Sequence, residues 1–158
     1  YLDQFLANGP YTCDGLTSDQ HNRHFMFVPD LFEDSYVNLV LETFFDADGS
    51  NGAFLSEKVF KPIRHGQPFV VFGTPHTLRT LKELGYRTYD NVIDNTYDSI
   101  EENTERFVKL ISTVNKLKKS NLHEMYESLV DDLKYNQDYF ISSKYHRLEQ
   151  LSDTLKSL

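Results

Sequence analysis

The stretch from Tyr36 to Gly73 constrains the fold more than any other. It holds an apolar run, "YVNLVLE", a capped helix start, "SEK", and a second apolar run, "PFVVF", with only short connections between them. Two parallel strands need a crossover between them, usually a helix. Residues 36–42 are apolar on both sides, which predicts a strand buried on both faces. Ser56 to His65 reads as a short helix ended by Gly66, and 68–72 as a strand that stops at Gly73. Thr74 and Pro75 predict the N-cap and first position of a helix through "HTLRTLKEL", which Gly85 closes. "YRTYD" at 86–90 predicts a further strand. Together the order predicts an α/β fold, an open parallel sheet with flanking helices.

Weaker patterns flank this unit. "YLDQFLANGP" predicts a short amphipathic helix stopped by Asn8, Gly9 and Pro10, and "HFMFV" at 24–28 predicts a strand. After the acidic turn "DNTYDSIEEN", one apolar stripe runs through Phe107, Leu110, Ile111, Val114 and Leu117. A second runs through Leu122, Met125, Tyr126, Leu129 and Leu133, with Ser120 as its expected N-cap. The expected organisation is a parallel-sheet domain over 1–101 and a helical C-terminal extension over 102–158 packing on the same core.

A chain of 158 residues with 14% aromatic side chains has enough large apolar groups to fold. Its net charge of -8 argues against nucleic acid and anionic membranes as partners, since both recruit basic surfaces. Cys13 is the only cysteine, which excludes an internal disulfide and a cysteine-based metal cluster. There is no run of eighteen apolar residues and no signal-peptide pattern, and the chain opens at Tyr1 without a methionine. These features lead us to expect a cytoplasmic fragment or processed chain with no membrane span.

Ligands of open parallel sheets bind outside the carboxyl ends of the strands. Glu42 ends one strand and Gly73 the next, so the loop "DADGSNGAFLSEK" and the turn "GTPH" should share that edge. Helix N-termini hold phosphates through unpaired backbone N–H groups and a partial positive charge. Lys58 adds a full positive charge where that dipole alone disfavours one, which a bound diphosphate would explain. Glu57 is suited to paired ribose hydroxyls, and Phe54 to stacking on a base. The plainer reading leaves Glu57 favouring the dipole, Lys58 solvated and Phe54 in the core.

"LSEKVFKPIRHGQPFVVFG" resembles the nucleotide-sugar motif in the C-terminal Rossmann-like domain of two-domain (GT-B-like) glycosyltransferases, the α-1,3-fucosyltransferase-like group in particular. Ser56, Glu57 and Lys58, then Gly66, then Gly73 match its spacing without a gap. "TLRTLKELGYRTYD" and "DNTYDSIEENTERF" are similar to segments of uncharacterised glycosyltransferase-like proteins of bacteria and phages. The resemblance covers roughly residues 35 to 107. It implies a Rossmann-like domain that binds a nucleotide-diphosphate sugar, the donor half of an enzyme whose acceptor domain would lie N-terminal to this chain. It also implies Glu57 at the ribose, Lys58 at the diphosphate and Phe54 near the base, with Ser56, Glu42 and Lys61 completing the donor set. Glu42 and Thr43 stand where the group has a Glu-Asn pair, while Lys61 and Pro62 replace an amide and a small residue of its helix. Pro62 should remove one helical hydrogen bond. The reaction implied is displacement at the anomeric carbon, with no metal or other cofactor required.

A different chemistry competes for Glu57. Asp46, Asp48, Ser50 and Glu57 follow EF-hand spacing and could supply oxygens to calcium, although Asn51 stands where such loops place glycine. A third alternative is a non-catalytic interaction domain. Asp94 and Asp98 are candidates for a general base and its partner, or for an ordinary capped turn. His21 and His24 could ligate a metal, and Arg23 and His24 could reach a donor phosphate.

Overall fold

The computed structural model describes residues 32–46 and 53–156, with side chains as far as Ser143. The expected helix at 1–10 and strand at 24–28, with Cys13, His21, Arg23, His24, Asp48 and Ser50, lie outside the described residues.

Within them the fold is mixed α/β, with a two-stranded parallel sheet and five helices. In chain order these are β1 (Asn38–Leu41), α1 (Glu57–Arg64), β2 (Phe69–Phe72), α2 (Thr77–Glu83), a 3-10 turn (Thr96–Ser99), α3 (Asn103–Leu117), α4 (Leu122–Ser128) and α5 (Val130–Lys156). The strands pair in the register Asn38 to Phe69 through Leu41 to Phe72. The crossover helix sits where its local signals put it. Ser56 Oγ accepts the Lys58 N–H at 3.2 Å as N-cap. At the other end Gly66, with φ 63°, lets its own N–H reach Ile63 and the Gln67 N–H reach the Pro62 carbonyl. Pro62 is buried inside the helix, and the helix continues through it to Arg64.

Five expectations are corrected. β1 is buried on one face only: Val40 joins the core, whereas Leu39 and Leu41 are exposed. With two strands in the described sheet, the alternating side chains of β1 have core on one side.

The segment 86–90 is not a strand. Tyr97 Oη accepts the Val71 N–H at 3.2 Å, so a side chain takes a ladder bond that a neighbouring strand could have made. Asn136 on α5 accepts the Arg87 N–H and donates to the Arg87 carbonyl, both at 2.9 Å. Tyr89, at φ 60°, then turns the chain away. The aromatic residues that suggest a strand here are buried, Tyr86 and Tyr89 alike, and it is a helix that satisfies the backbone beside them.

Thr74 does not cap α2. Its hydroxyl accepts the Phe54 N–H at 3.2 Å, and the N-cap position falls to His76, which makes no side-chain cap bond. Asp98 supplies the cap from outside the helix, its two carboxylate oxygens accepting the Leu78 and Arg79 N–H groups at 2.8 and 3.0 Å. Gly85, at φ 96°, ends the helix as expected.

The helical region also turns differently from its apolar stripe. Arg106, Leu110, Thr113 and Leu117 are the buried residues of α3, while Phe107 and Ile111 are substantially exposed. The hydrogen bonds of Arg106 draw that face inward. Asn121, not Ser120, caps α4, because the Ser120 hydroxyl donates to the Leu117 carbonyl. Met125, Leu129 and Leu133 are buried as expected.

The two ends of the βαβ unit have different neighbours. The N-terminus of α1 meets the carboxyl ends of the strands, where Ser56 bonds to Glu42. At the amino ends, Gln67 fastens the chain before β1, its amide donating to the Ser35 carbonyl at 2.7 Å. Helices α4 and α5 close the C-terminal ends of α1 and α2. Tyr126 Oη donates to the Gly66 carbonyl, Gln137 to Arg64, Tyr135 to Gly85 and Tyr139 to Leu84, at 2.8 to 3.1 Å. The C-terminal helices thus lie away from the carboxyl edge.

Candidate functional site at the carboxyl edge of the strands

Three connections meet at that edge: the loop after β1, the start of α1 and the turn after β2. Glu42 follows β1 directly and is buried. Its carboxylate accepts the Ser56 N–H at 3.1 Å and the Ser56 hydroxyl at 2.5 Å, which ties the end of the strand to the cap of the helix. Ser56 is in turn fastened by Lys58, whose Nζ donates to Ser56 Oγ at 3.4 Å and to Thr43 Oγ1 at 3.2 Å. The ammonium therefore folds back over the N-terminus of its own helix instead of pointing out along α1. Glu57 Oε1 is 3.9 Å from it, and both side chains are more than a third exposed, so solvent screens much of their attraction. Lys61 lies in the last turn of α1, half-buried.

The turn after β2 joins the group through the Phe54 N–H bond to Thr74. Phe54 and Phe44 pack edge to face at 4.9 Å, both with substantial exposure. An exposed aromatic pair a few residues from a cation and a helix N-terminus suits a ligand with both a planar and an anionic part. Glycine at 73 lets this edge close up. A Cβ there would stand 3.3 Å from Thr77 Oγ1 and 3.5 Å from Glu42 Cβ.

Arg106 stabilises the far side of the edge. It is 1% exposed, and its guanidinium donates to the carbonyls of Ile100, Glu101 and Phe45 and to Asn103 Oδ1. Its Cζ lies 4.3 Å from the centre of the Phe45 ring. The loop after β1 is thereby tied to the start of α3. Nothing in the local sequence distinguishes Arg106 from a surface residue; its position on the buried side of α3 beside Leu110 and Thr113 is the signal.

The two aspartates proposed as base and partner stand apart in their surroundings. Asp98 is the external cap of α2. Asp94 accepts from Lys116 Nζ at 2.9 Å, from the Thr96 hydroxyl at 2.6 Å and from Lys109 Nζ at 3.0 Å. These bonds, that of Lys116 foremost, hold its carboxyl far below the usual carboxylate range. A carboxylate so stabilised is a poor proton acceptor near neutral pH, and its geometry is that of a clamp between the loop and α3. A pH dependence follows. Because the folded-state value is depressed, the stabilisation is complete above the unfolded value of about 3.9. It is lost as pH falls below that toward the lower folded value. Urea unfolding of Asp94→Asn beside the parent chain should therefore show a deficit that is widest near neutrality and narrows below about pH 4. A deficit constant with pH would mean that the charge of Asp94 contributes nothing.

Of the calcium set, the described residues contain Asp46 and Glu57. Asp46 Oδ1 accepts a hydrogen bond from Asn103 at 2.7 Å, and Glu57 has Lys58 beside it. The loop is entered from a strand, whereas an EF-hand enters its loop from a helix. Among the described residues no group of three or more His, Cys, Asp or Glu side chains could hold a metal ion, and no helix is long and apolar enough to cross a membrane.

A cleft of about 480 Å³ opens at the opposite, amino edge, between the chain before β1 and the Gly66–Gln67 turn, with Tyr36, His65 and Tyr126 in its wall. Gln67 there is consumed in fastening the backbone. The orphan N–H groups of α1 and the cation beside them lie at the carboxyl edge, which is the better candidate for an anionic ligand.

No family model, curated protein or solved structure matches the chain.

Proposed function

We propose that the carboxyl edge binds a nucleotide-diphosphate sugar, and that this chain is the donor-binding part of a glycosyltransferase built on a Rossmann-like core. The observation that carries this reading is the position of Lys58. An ammonium folded back over a helix N-terminus adds positive charge to positive charge, at a local cost of a few tenths of a kcal/mol to about 1 kcal/mol, which the solvent-screened Glu57 carboxylate 3.9 Å away offsets only in part. A diphosphate at the same place reverses the sign of both interactions, since hydrogen bonds to charged groups contribute about 1.5–3 kcal/mol each. The exposed Phe44 and Phe54 rings offer the base a surface, and the exposed Glu57 carboxylate can accept from ribose hydroxyls. Ser56 caps the helix that carries Lys58, with Glu42 supporting Ser56 from beneath.

In this reading the helix N-terminus and Lys58 stabilise the diphosphate as it departs from the anomeric carbon. The acceptor and its binding domain belong to another part of the enzyme or to a partner.

Thermal unfolding against UDP- and GDP-sugars, each with calcium or with chelator, tests the reading. One nucleotide sugar at a hundred times its dissociation constant should stabilise the chain by about 2.7 kcal/mol. Lys58→Ala should abolish that shift while changing the stability of the unliganded chain by less than about 1 kcal/mol. Stabilisation by calcium alone would instead assign Asp46 and Glu57 to a cation, and a nucleotide-sugar shift that survives Lys58→Ala would overturn the placement of the diphosphate.

A further inference from the structure

The turn after β2 contains a strained residue that the donor reading leaves unused. His76 has φ 64° and ψ 16°, the left-handed region, although it is neither glycine nor asparagine. Backbone in that region is uncommon outside glycine and its occurrence clusters at functional sites. The strain has no capping role, since the His76 side chain makes no cap bond to α2. It is held from two sides instead. The His76 N–H donates to the Asp98 carbonyl at 2.7 Å, and the imidazole Nε2 lies 2.7 Å from Glu101 Oε1. Glu101 is itself located by Arg106, which bonds to its carbonyl at 3.0 Å.

An imidazole hydrogen-bonded through one nitrogen to a carboxylate has its tautomer and orientation set, and its other nitrogen is left to accept a proton. Among the described residues Nδ1 of His76 has no hydrogen-bond partner. The ring is 28% exposed. It lies two residues beyond Thr74, which binds the Phe54 backbone, and Arg106 bonds to the carbonyls of both Glu101 and Phe45, so the dyad is tied to the loop that carries Phe44.

Resting on the donor-site reading, we propose that His76 is the general base of the transfer, with Glu101 as its positioning residue. The oxygen of the acceptor hydroxyl, or of water in its absence, forms a bond to the anomeric carbon. The bond from that carbon to the diphosphate oxygen breaks, and its electron pair leaves with the nucleoside diphosphate. The hydroxyl proton passes to Nδ1 of His76, giving an imidazolium paired with Glu101. Charge balances at each centre, and no further reactant is needed. Asp94 and Asp98, occupied as clamp and cap, are released from the role.

The test measures two quantities on the same protein: stabilisation by the nucleotide sugar that binds, and release of nucleoside diphosphate from it in water. His76→Asn suits the left-handed backbone and removes the base. It should retain the donor-induced stabilisation and slow release by 100-fold or more. Glu101→Gln should lower kcat about 10-fold and leave KM unchanged, which a purely structural role for the pair would not do. His76→Gly, which also accepts positive φ, controls for the backbone and should be as slow as His76→Asn. Release by His76→Asn within threefold of the parent rate overturns the proposal. So does a parent chain that binds the donor and releases nothing. Absence of any donor-induced stabilisation would instead overturn the donor-site reading on which the proposal stands.

Discussion

Replacing Arg106 with alanine should destabilise the fold by about 3–5 kcal/mol in urea unfolding, because several buried oxygens lose their donor at about 1–3 kcal/mol each. Among the described residues no carboxylate is hydrogen-bonded to this guanidinium. Three backbone carbonyls, the Asn103 amide oxygen and the face of the Phe45 ring surround it. Burial draws its pKa down from the usual arginine value. Removing the side chain leaves the carbonyls of Phe45, Ile100 and Glu101 without this donor, and each orphaned group costs about 1–3 kcal/mol unless water reaches it. Lysine should rescue little, because one ammonium cannot reproduce a planar fork that spans two separate segments. The effect should extend to the site: with Phe45 released, the loop carrying Thr43 and Phe44 loses its anchor, and donor-induced stabilisation should fall together with global stability. An Arg106→Ala loss under about 1 kcal/mol would show that water readily replaces the guanidinium.

The second large effect should come from Asn136→Leu, at about 2–4 kcal/mol. Asn136 is fully buried, and its side-chain amide serves both polar groups of Arg87 and also donates to Tyr89 Oη at 3.1 Å. Leucine keeps the branching at Cγ, adds bulk at a fully buried position and offers no hydrogen bond, so the Arg87 N–H and carbonyl are stranded in the interior. Native-state hydrogen exchange provides the local readout. The Arg87 amide should lose protection out of proportion to amides of β2. Equal loss across the chain would mean that Asn136 acts only through global packing.

How much of this was legible in the sequence depends on the range of the interactions concerned. The β1–α1–β2 crossover was legible because its signals are local: Ser56 two residues before the N–H it caps, Gly66 just past the end of α1, and compact β-branched runs on either side. The strand expected at 86–90 rested on a composition that reports burial and says nothing about which partner satisfies the backbone. That partner, Asn136, lies 49 residues further on. The Asp98 cap of α2 failed for the same reason, arriving from 20 residues downstream while Thr74, the nearer candidate, bonded elsewhere. In the candidate site, Glu42, Ser56 and Lys58 are joined by hydrogen bonds, because strand ends and helix starts share an edge in any βαβ unit, whereas Phe54 is held by Thr74 and Lys61 lies in the last turn of α1. Arg106 was not legible, since a stripe of hydrophobic residues carries no mark for a charged one that turns inward to backbone carbonyls. His76 stood in the expected turn, but its positive φ and its contact with Glu101, 25 residues away, have no signature in the local pattern.

The way α5 closes the ends of α1 and α2 has a consequence for the birth of the molecule. The Leu84 carbonyl receives its hydrogen bond from Tyr139, 55 residues later. At a synthesis rate of about 5–20 residues per second, roughly 3–11 s pass between those two residues being added to the chain. Throughout that interval β1, α1, β2 and α2 can associate, yet the C-terminal ends of both helices and the backbone of Arg87 still await their side-chain partners. A ribosome stalled between Leu84 and Tyr139 should therefore hold a nascent chain that proteases cut readily around residues 84–89, and protection there should appear only once α5 has been made.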